Sequence, residues 1–199
     1  MENKKFQTPS WLEALRKEFP VTEKWAYFDS AYETGGAYFL EEASRKYFAD
    51  KSDFYPGIPQ MGGSGKGAAV QLIEETRTLL AELLNARDGH SIAFTANTCQ
   101  AVALALQSYP FEPGDNVVVG DIEHVCVLYP AISLKQRGVE VRLVHPETEW
   151  DLTAEKLLEQ VDDHTRFVVV SYVQSASGYR IDMEKLVKEC HKKNCYVVT

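Results

Sequence analysis

The chain has 199 residues, 45% of them apolar and 11% aromatic, enough to bury a substantial core in one domain or slightly more. Its net charge of −8 argues against duplex nucleic acid or an anionic membrane as the main partner, because both reward a basic surface. No apolar run approaches the ~20 residues needed to cross a bilayer, and the opening MENKKFQTPSWLEALRKEFP lacks the apolar stretch of a secretory signal. A cytoplasmic protein is expected. Cys99, Cys126, Cys190 and Cys195 form no C-x-x-C pair, so they read as free thiols in a reducing compartment and suggest no metal site.

In chain order, SWLEALRKEF (residues 10–19) puts Trp11, Leu12, Leu15 and Phe19 on one stripe behind a possible Ser10 cap, which predicts a short amphipathic arm. AYFDSA, from Ala26, is a short strand candidate. Further on, GGSGKG (62–67) invites comparison with a phosphate-gripping loop. A P-loop, however, has Gly, four intervening residues, then a Gly-Lys pair followed by Ser or Thr, whereas this chain has Gln60 and Gly67 at the first and last of these positions. Residues 68–86 then carry Leu72, Ile73, Leu79, Leu80, Leu83 and Leu84 on one face, the strongest helix signal in the chain.

From there short β-branched runs recur: SIAFT (91–95), NVVVG (116–120), VEVRLV (139–144), RFVVVSY (166–172) and CYVVT (195–199). Helical stretches separate them, CQAVALALQSY, VLYPAISLKQRG, TAEKLLEQV and MEKLVKECHKK. Strands alternating with helices at this spacing predict an α/β fold, a three-layer sandwich around a mostly parallel sheet. A strand as apolar as CYVVT is normally covered on both faces, so the chain reads as the front part of something longer.

In open α/β sheets ligands collect beyond the carboxyl ends of the strands. ANTCQA follows SIAFT, and Asn97 or Thr98 can cap the next helix. A helix N-terminus with Asn97, Thr98 and Cys99 offers free N–H groups to an anion, although an ordinary cap explains the same residues. His124 follows NVVVG, beside a Glu123 able to accept a proton or orient a neighbour. Gln174, Ser175 and Ser177 follow RFVVVSY, ahead of Gly178.

Taken together these segments resemble the class V aminotransferase and cysteine desulfurase family of pyridoxal 5′-phosphate (PLP) enzymes. YFDSAYETG resembles the family's opening, and GGSGKG through RTLLAELLNA resembles its Gly-rich active-site loop and long helix. FTANTCQAVALAL is similar to the segment that holds the cofactor phosphate, with Cys99 where Thr is usual and Gln100 where Glu is usual. PGDNVVVGDIEHVCVLYP resembles the signature whose His stacks on the pyridine ring. TRFVVVSYVQSASGYRIDM resembles the strand and loop whose Asn contacts the ring hydroxyl, with Ser175 at that place.

The resemblance implies PLP as cofactor, an amino-acid substrate, a homodimer, and cofactor-binding roles for Asn97, Thr98, Cys99, His124 and Ser175. It implies an N-terminal arm and small-domain segment over 1–35 and the front part of a PLP-binding large domain over 36–199, incomplete at its C-terminus. The Asp that pairs with the pyridine nitrogen and the Schiff-base Lys are expected beyond Thr199; neither Lys66 nor Lys135 falls at a matching position. The chain alone is therefore expected to be inactive, within a PLP-dependent transferase or lyase. Three other readings stand beside this one: a non-catalytic scaffold on the same fold, a thiol enzyme using Cys99 with His124 as base, and a dinucleotide binder, which lacks any G-x-G-x-x-G.

Overall fold

A computed structural model describes residues 9–30, 33–53, 68–146 and 151–199, so GGSGKG lies outside the described residues. The chain divides into two compact units, 1–92 and 93–199. In the first, α1 (Ser10–Lys17) and α2 (Val21–Lys24) form a hooked arm, closed where the Thr22 hydroxyl donates to Arg16 O and Phe19 O, both at 2.9 Å. Pro9, not Ser10, occupies the N-cap of α1, without a side-chain cap. Proline's fixed φ suits a helix start, so the serine becomes the first helical residue. Residues 26–29 form no strand; a strand needs a ladder partner, and they have none among the described residues. α3 (Tyr38–Asp53) and α4 (Ala68–Leu83) complete this unit. Leu72, Leu79, Leu83 and Leu84 are exposed, so the apolar face predicted for α4 is uncovered here.

The second unit is the expected layered α/β sandwich. α5 (Thr98–Gln107), β1 (Asn116–Gly120), α6 (Val125–Ser133), β2 (Glu140–Val144), α7 (Ala154–Glu159), β3 (Thr165–Val169), α8 (Met183–Lys192) and β4 (Tyr196–Val198) follow in order. The strands form a four-stranded parallel sheet in the order β2-β1-β3-β4. Residues 92–95 are not a strand, contrary to expectation. Ile92 is extended, but the ladders among the described residues join four strands and the run is not one of them, and an extended backbone becomes a strand only through a ladder. β4 is a half-exposed edge, not a fully covered strand, since nothing pairs with its outer side among the described residues.

Period-two alternation sorts the core. Val117, Val119, Phe167 and Val169 pack under α5 and α6 with Val102, Leu106 and Ala131. Val118, Val168 and Val170 pack under α7 and α8 with Leu157, Leu186 and Cys190. The register skips one residue, Arg166, between Thr165 and Phe167, and this bulged arginine pairs with buried Asp115 at 2.8 Å.

Polar groups tie the amino ends of three strands together. Asp162 accepts from Asn116 Nδ2 at 2.9 Å, Arg142 Nη1 at 2.7 Å and His164 N at 2.9 Å. Partial burial pushes the Asp162 carboxyl up, but these donors outweigh it and hold the group well below the usual carboxylate range. Because the folded value lies below the unfolded value of about 3.9, the unfolded chain takes the proton first, and stability present above about pH 4 is lost as the pH falls through that window. Urea midpoints should therefore drop on acidification below about pH 4. Asp162→Asn should flatten that decline; an unchanged profile would remove Asp162 as a cause.

Candidate cofactor-binding site

The opposite, carboxyl end of the sheet gathers the residues that could hold a ligand. Arg137 Nη1 donates to Gln107 O at 3.0 Å, and the Tyr109 ring lies 5.1 Å from Phe167 and 6.3 Å from Tyr196, the first residue of β4. The last turn of α5 is thereby pinned at the amino end of the sheet. Its ten residues span about 15 Å, at a 1.5 Å rise per residue, which carries its first turn toward the carboxyl end.

That first turn is capped from both sides. Asn97 Oδ1 accepts from Gln100 N at 2.9 Å, and Gln100 Oε1 accepts from Ala96 N at 2.7 Å, a reciprocal arrangement close to a capping box. Gln100 thus does the capping that a Glu would do, without the charge. Asn97 spends its carboxamide oxygen on the cap, while the N–H groups of Thr98 and Cys99 donate to no acceptor among the described residues. Thr98 is exposed and Cys99 half-buried. Two open N–H groups on a helix N-terminus suit a phosphate, through directed donors and the positive end of the helix dipole.

His124 lies four residues beyond the end of β1 as the N-cap of α6, and its Nδ1 accepts from Cys126 N at 3.3 Å. The contact fixes the ring at the helix start and places the imidazole proton on Nε2. His124 is exposed, so its face is open to a ligand. No hydrogen bond joins it to Cys99 among the described residues, so the thiol–imidazole pair of a Cys99 nucleophile finds no support.

Beside it, Glu123 is 6% exposed and bridges the loops after β1 and β3. It accepts from Ser171 N at 3.0 Å and Ser171 Oγ at 2.6 Å, and from Gln174 Nε2. Gly120 makes room for buried Leu152 beside this bridge, since a Cβ there would fall 2.3 Å from Leu152 Cδ2. Gln174 is 1% exposed, and its Oε1 is buried without a partner among the described residues. Ser175 is exposed and makes no hydrogen bond among the described residues. The turn itself is closed by Gly178 N donating to Gln174 O at 2.8 Å, with Gly178 at φ 71°, a left-handed conformation that favours glycine. The predicted residues 97–99 and 124 thus belong to two helix starts. Glu123, read in the sequence as able to accept a proton or orient a neighbour, and Gln174, read there as a strand-end candidate beside Ser175, are the buried link between the strand-end loops. Their signal was a polar side chain within a few residues of the end of an apolar strand. Among the described residues no group of three or more His, Cys, Asp and Glu could hold a metal ion.

A parallel sheet with helices on both faces, a helix start with open N–H groups and a histidine beyond an apolar strand is the kind of frame in which open α/β folds collect ligands at the carboxyl ends of their strands. The aminotransferase class-V family model matches residues 46–199, and the chain belongs to that family. It is 28% identical over 185 residues to a probable cysteine desulfurase of Methanothermobacter thermautotrophicus, covering 90% of this chain and 44% of that protein. It is 30% identical over 190 residues to an uncharacterized aminotransferase of Schizosaccharomyces pombe, covering 94% and 46%. Among solved structures, an apo cysteine desulfurase from Thermococcus onnurineus superposes with a TM-score of 0.78 at 23% identity, over 97% of this chain and 47% of that one. The chain spans less than half the length of these relatives. PLP is the cofactor of this family, and a variant of the cystine C-S lyase C-DES carries glycine covalently linked to it.

Proposed function

We propose that the protein carrying this chain is a PLP-dependent enzyme acting on an amino acid, by amino transfer or by cysteine desulfurase-like elimination of sulfur or selenium. The observation that carries this reading is the pair of unpaired N–H groups at the start of α5, in a chain whose family uses a phosphorylated cofactor. When bound, PLP supplies an electron sink for charge developing at the substrate α-carbon. Thr98 and Cys99 would hold its phosphate through their N–H groups, with the Thr98 hydroxyl adding a donor and the Cys99 thiol a weaker one. Asn97 and Gln100 keep those N–H groups directed outward by holding the cap. His124, fixed through Nδ1, would lay its ring against the pyridine. The Asp and Lys that complete the chemistry would come from residues outside this chain. A homodimer follows from the family resemblance and would help to cover the apolar side of α4. The four free cysteines favour a reducing, cytoplasmic setting, and no helix among the described residues is long and apolar enough to cross a membrane.

His124→Ala in the whole protein should weaken PLP binding by up to about tenfold, the scale of one aromatic stacking contact, and should alter the absorption of the bound cofactor. Unchanged affinity and unchanged absorption would remove the stacking role. Incubation with L-cysteine and dithiothreitol, followed for alanine and for the sulfide that the thiol reductant releases from the sulfane sulfur, separates desulfuration from amino transfer, which instead needs a keto-acid acceptor.

A further inference from the structure

We propose that His145 is a positioning residue for the cofactor site: through Asp121 it holds the turn that delivers His124. The inference rests on the PLP reading above, in which His124 lies against the pyridine, and it adds a residue that belongs to none of the motifs singled out in the sequence.

The placement follows from register. β1 lies between β2 and β3, and Gly120, its last residue, pairs with Val144, the last of β2. Asp121 and His145 are therefore the next residues on two neighbouring parallel strands, and their side chains meet, with His145 Nδ1 donating to Asp121 Oδ2. The backbones are tied at the same level, where Asp121 N donates to Val144 O at 3.1 Å. Two residues on, Glu123 reaches the other way, to Ser171 and Gln174 beyond β3. The turn over 120–124 is thus strapped from both flanks, on alternate residues, directly ahead of the His124 cap of α6.

The state of Asp121 makes the imidazole the decisive contact on its flank. Asp121 Oδ1 is buried with no partner among the described residues, so His145 supplies the one side-chain donor to this carboxylate among them. Without that donor a partly buried charge is left unpaired, which is costly, and the side chain relieves the cost by swinging toward water and drawing the turn with it. The bond that closes the turn, Glu123 N to Gly120 O, is 3.4 Å long, so backbone bonding alone restrains the turn weakly. The size of the effect is bounded by exposure. The His145 side chain is 75% exposed and that of Asp121 27%, and an ion pair this open to solvent contributes modestly. The loss expected on removing it is therefore a fraction of the tenfold assigned to His124 itself.

The test is a double-mutant cycle, read by absorbance titration with PLP of the whole protein purified free of cofactor. His145→Ala should weaken PLP binding by about 2–5-fold, the scale of one exposed ion pair, and should shift the absorption of the bound cofactor in the same direction as His124→Ala. In a His124→Ala background the same substitution should cost nothing further, because the side chain it positions is gone. His145→Asn, whose Nδ2 can replace Nδ1 as donor to Asp121, should restore the affinity. If His145→Ala disturbs the fold, Asp121→Ala breaks the same bond from the other side and completes the cycle. Unchanged affinity in His145→Ala, an equal loss in both backgrounds, or no recovery with His145→Asn would overturn the positioning role while leaving the cofactor reading intact. No effect of His124→Ala on PLP binding would remove the stacking reading and this inference with it.

Discussion

Cys99→Asp is expected to reduce the affinity of the whole protein for PLP by about 100-fold while leaving its stability unchanged or slightly raised. The two effects separate because they draw on different physics. A carboxylate in the first turn of α5 complements the helix dipole and is worth roughly 0.3–1 kcal/mol to the fold. The same carboxylate beside a bound phosphate opposes it: two like charges about 4 Å apart interact by up to about 4 kcal/mol at an effective dielectric of about 20, and a loss of about 2.7 kcal/mol is already 100-fold. Cys99→Thr acts in the other direction. It adds a better donor than a thiol and should tighten binding by about 1 kcal/mol. Isothermal titration with PLP, paired with urea unfolding of each variant, reads both quantities. If Asp and Thr change stability alone and leave the affinity untouched, residues 97–100 are an ordinary helix cap and the phosphate lies elsewhere.

Phe167→Ala should destabilise the chain by about 3–5 kcal/mol, the range for truncating a buried aromatic. Phe167 is 6% exposed, and its ring lies 5.1 Å from Tyr109, 5.9 Å from Phe111 and 5.7 Å from Tyr196. The cluster joins the middle of β3 to the chain leaving α5 and to the edge strand, so little around it is free to collapse into the void. The consequence reaches function, because Tyr109 is part of what pins the last turn of α5 and hence the direction of its first. Urea unfolding of the 199-residue chain measures the loss directly. A change below about 1 kcal/mol, the value for an exposed or easily repacked site, would mean that α5 is anchored by other contacts.

The parallel sheet was legible because four short β-branched runs are separated by helical stretches; 116–120, 140–144, 165–169 and 196–198 all became strands. The run at 91–95 has the same local composition and did not. Composition reports that a segment suits an extended backbone, but joining a sheet depends on a ladder with a strand distant in sequence, and the described sheet of four strands does not include this run. The face of α4 follows the same logic, since its amphipathic pattern is local while its burial depends on a surface supplied from elsewhere.

For the site, the order of the motifs placed Asn97, Thr98, Cys99 and His124 at helix starts beyond apolar runs, and the sequence by itself also determined the family, the fold class and the helix-start chemistry. These are properties of short segments, where capping, strand propensity and motif spacing act within a few residues. Only the tertiary structure decided that Glu123 reaches Ser171 and Gln174, 48 and 51 residues away. It likewise decided that Gln174 is buried with a free oxygen while Ser175 lies at the surface. The physical reason is that burial and hydrogen-bond pairing across two strand ends depend on the register of β1 against β3 and on the one-residue bulge at Arg166, and long-range pairings of that kind leave no local trace in the chain.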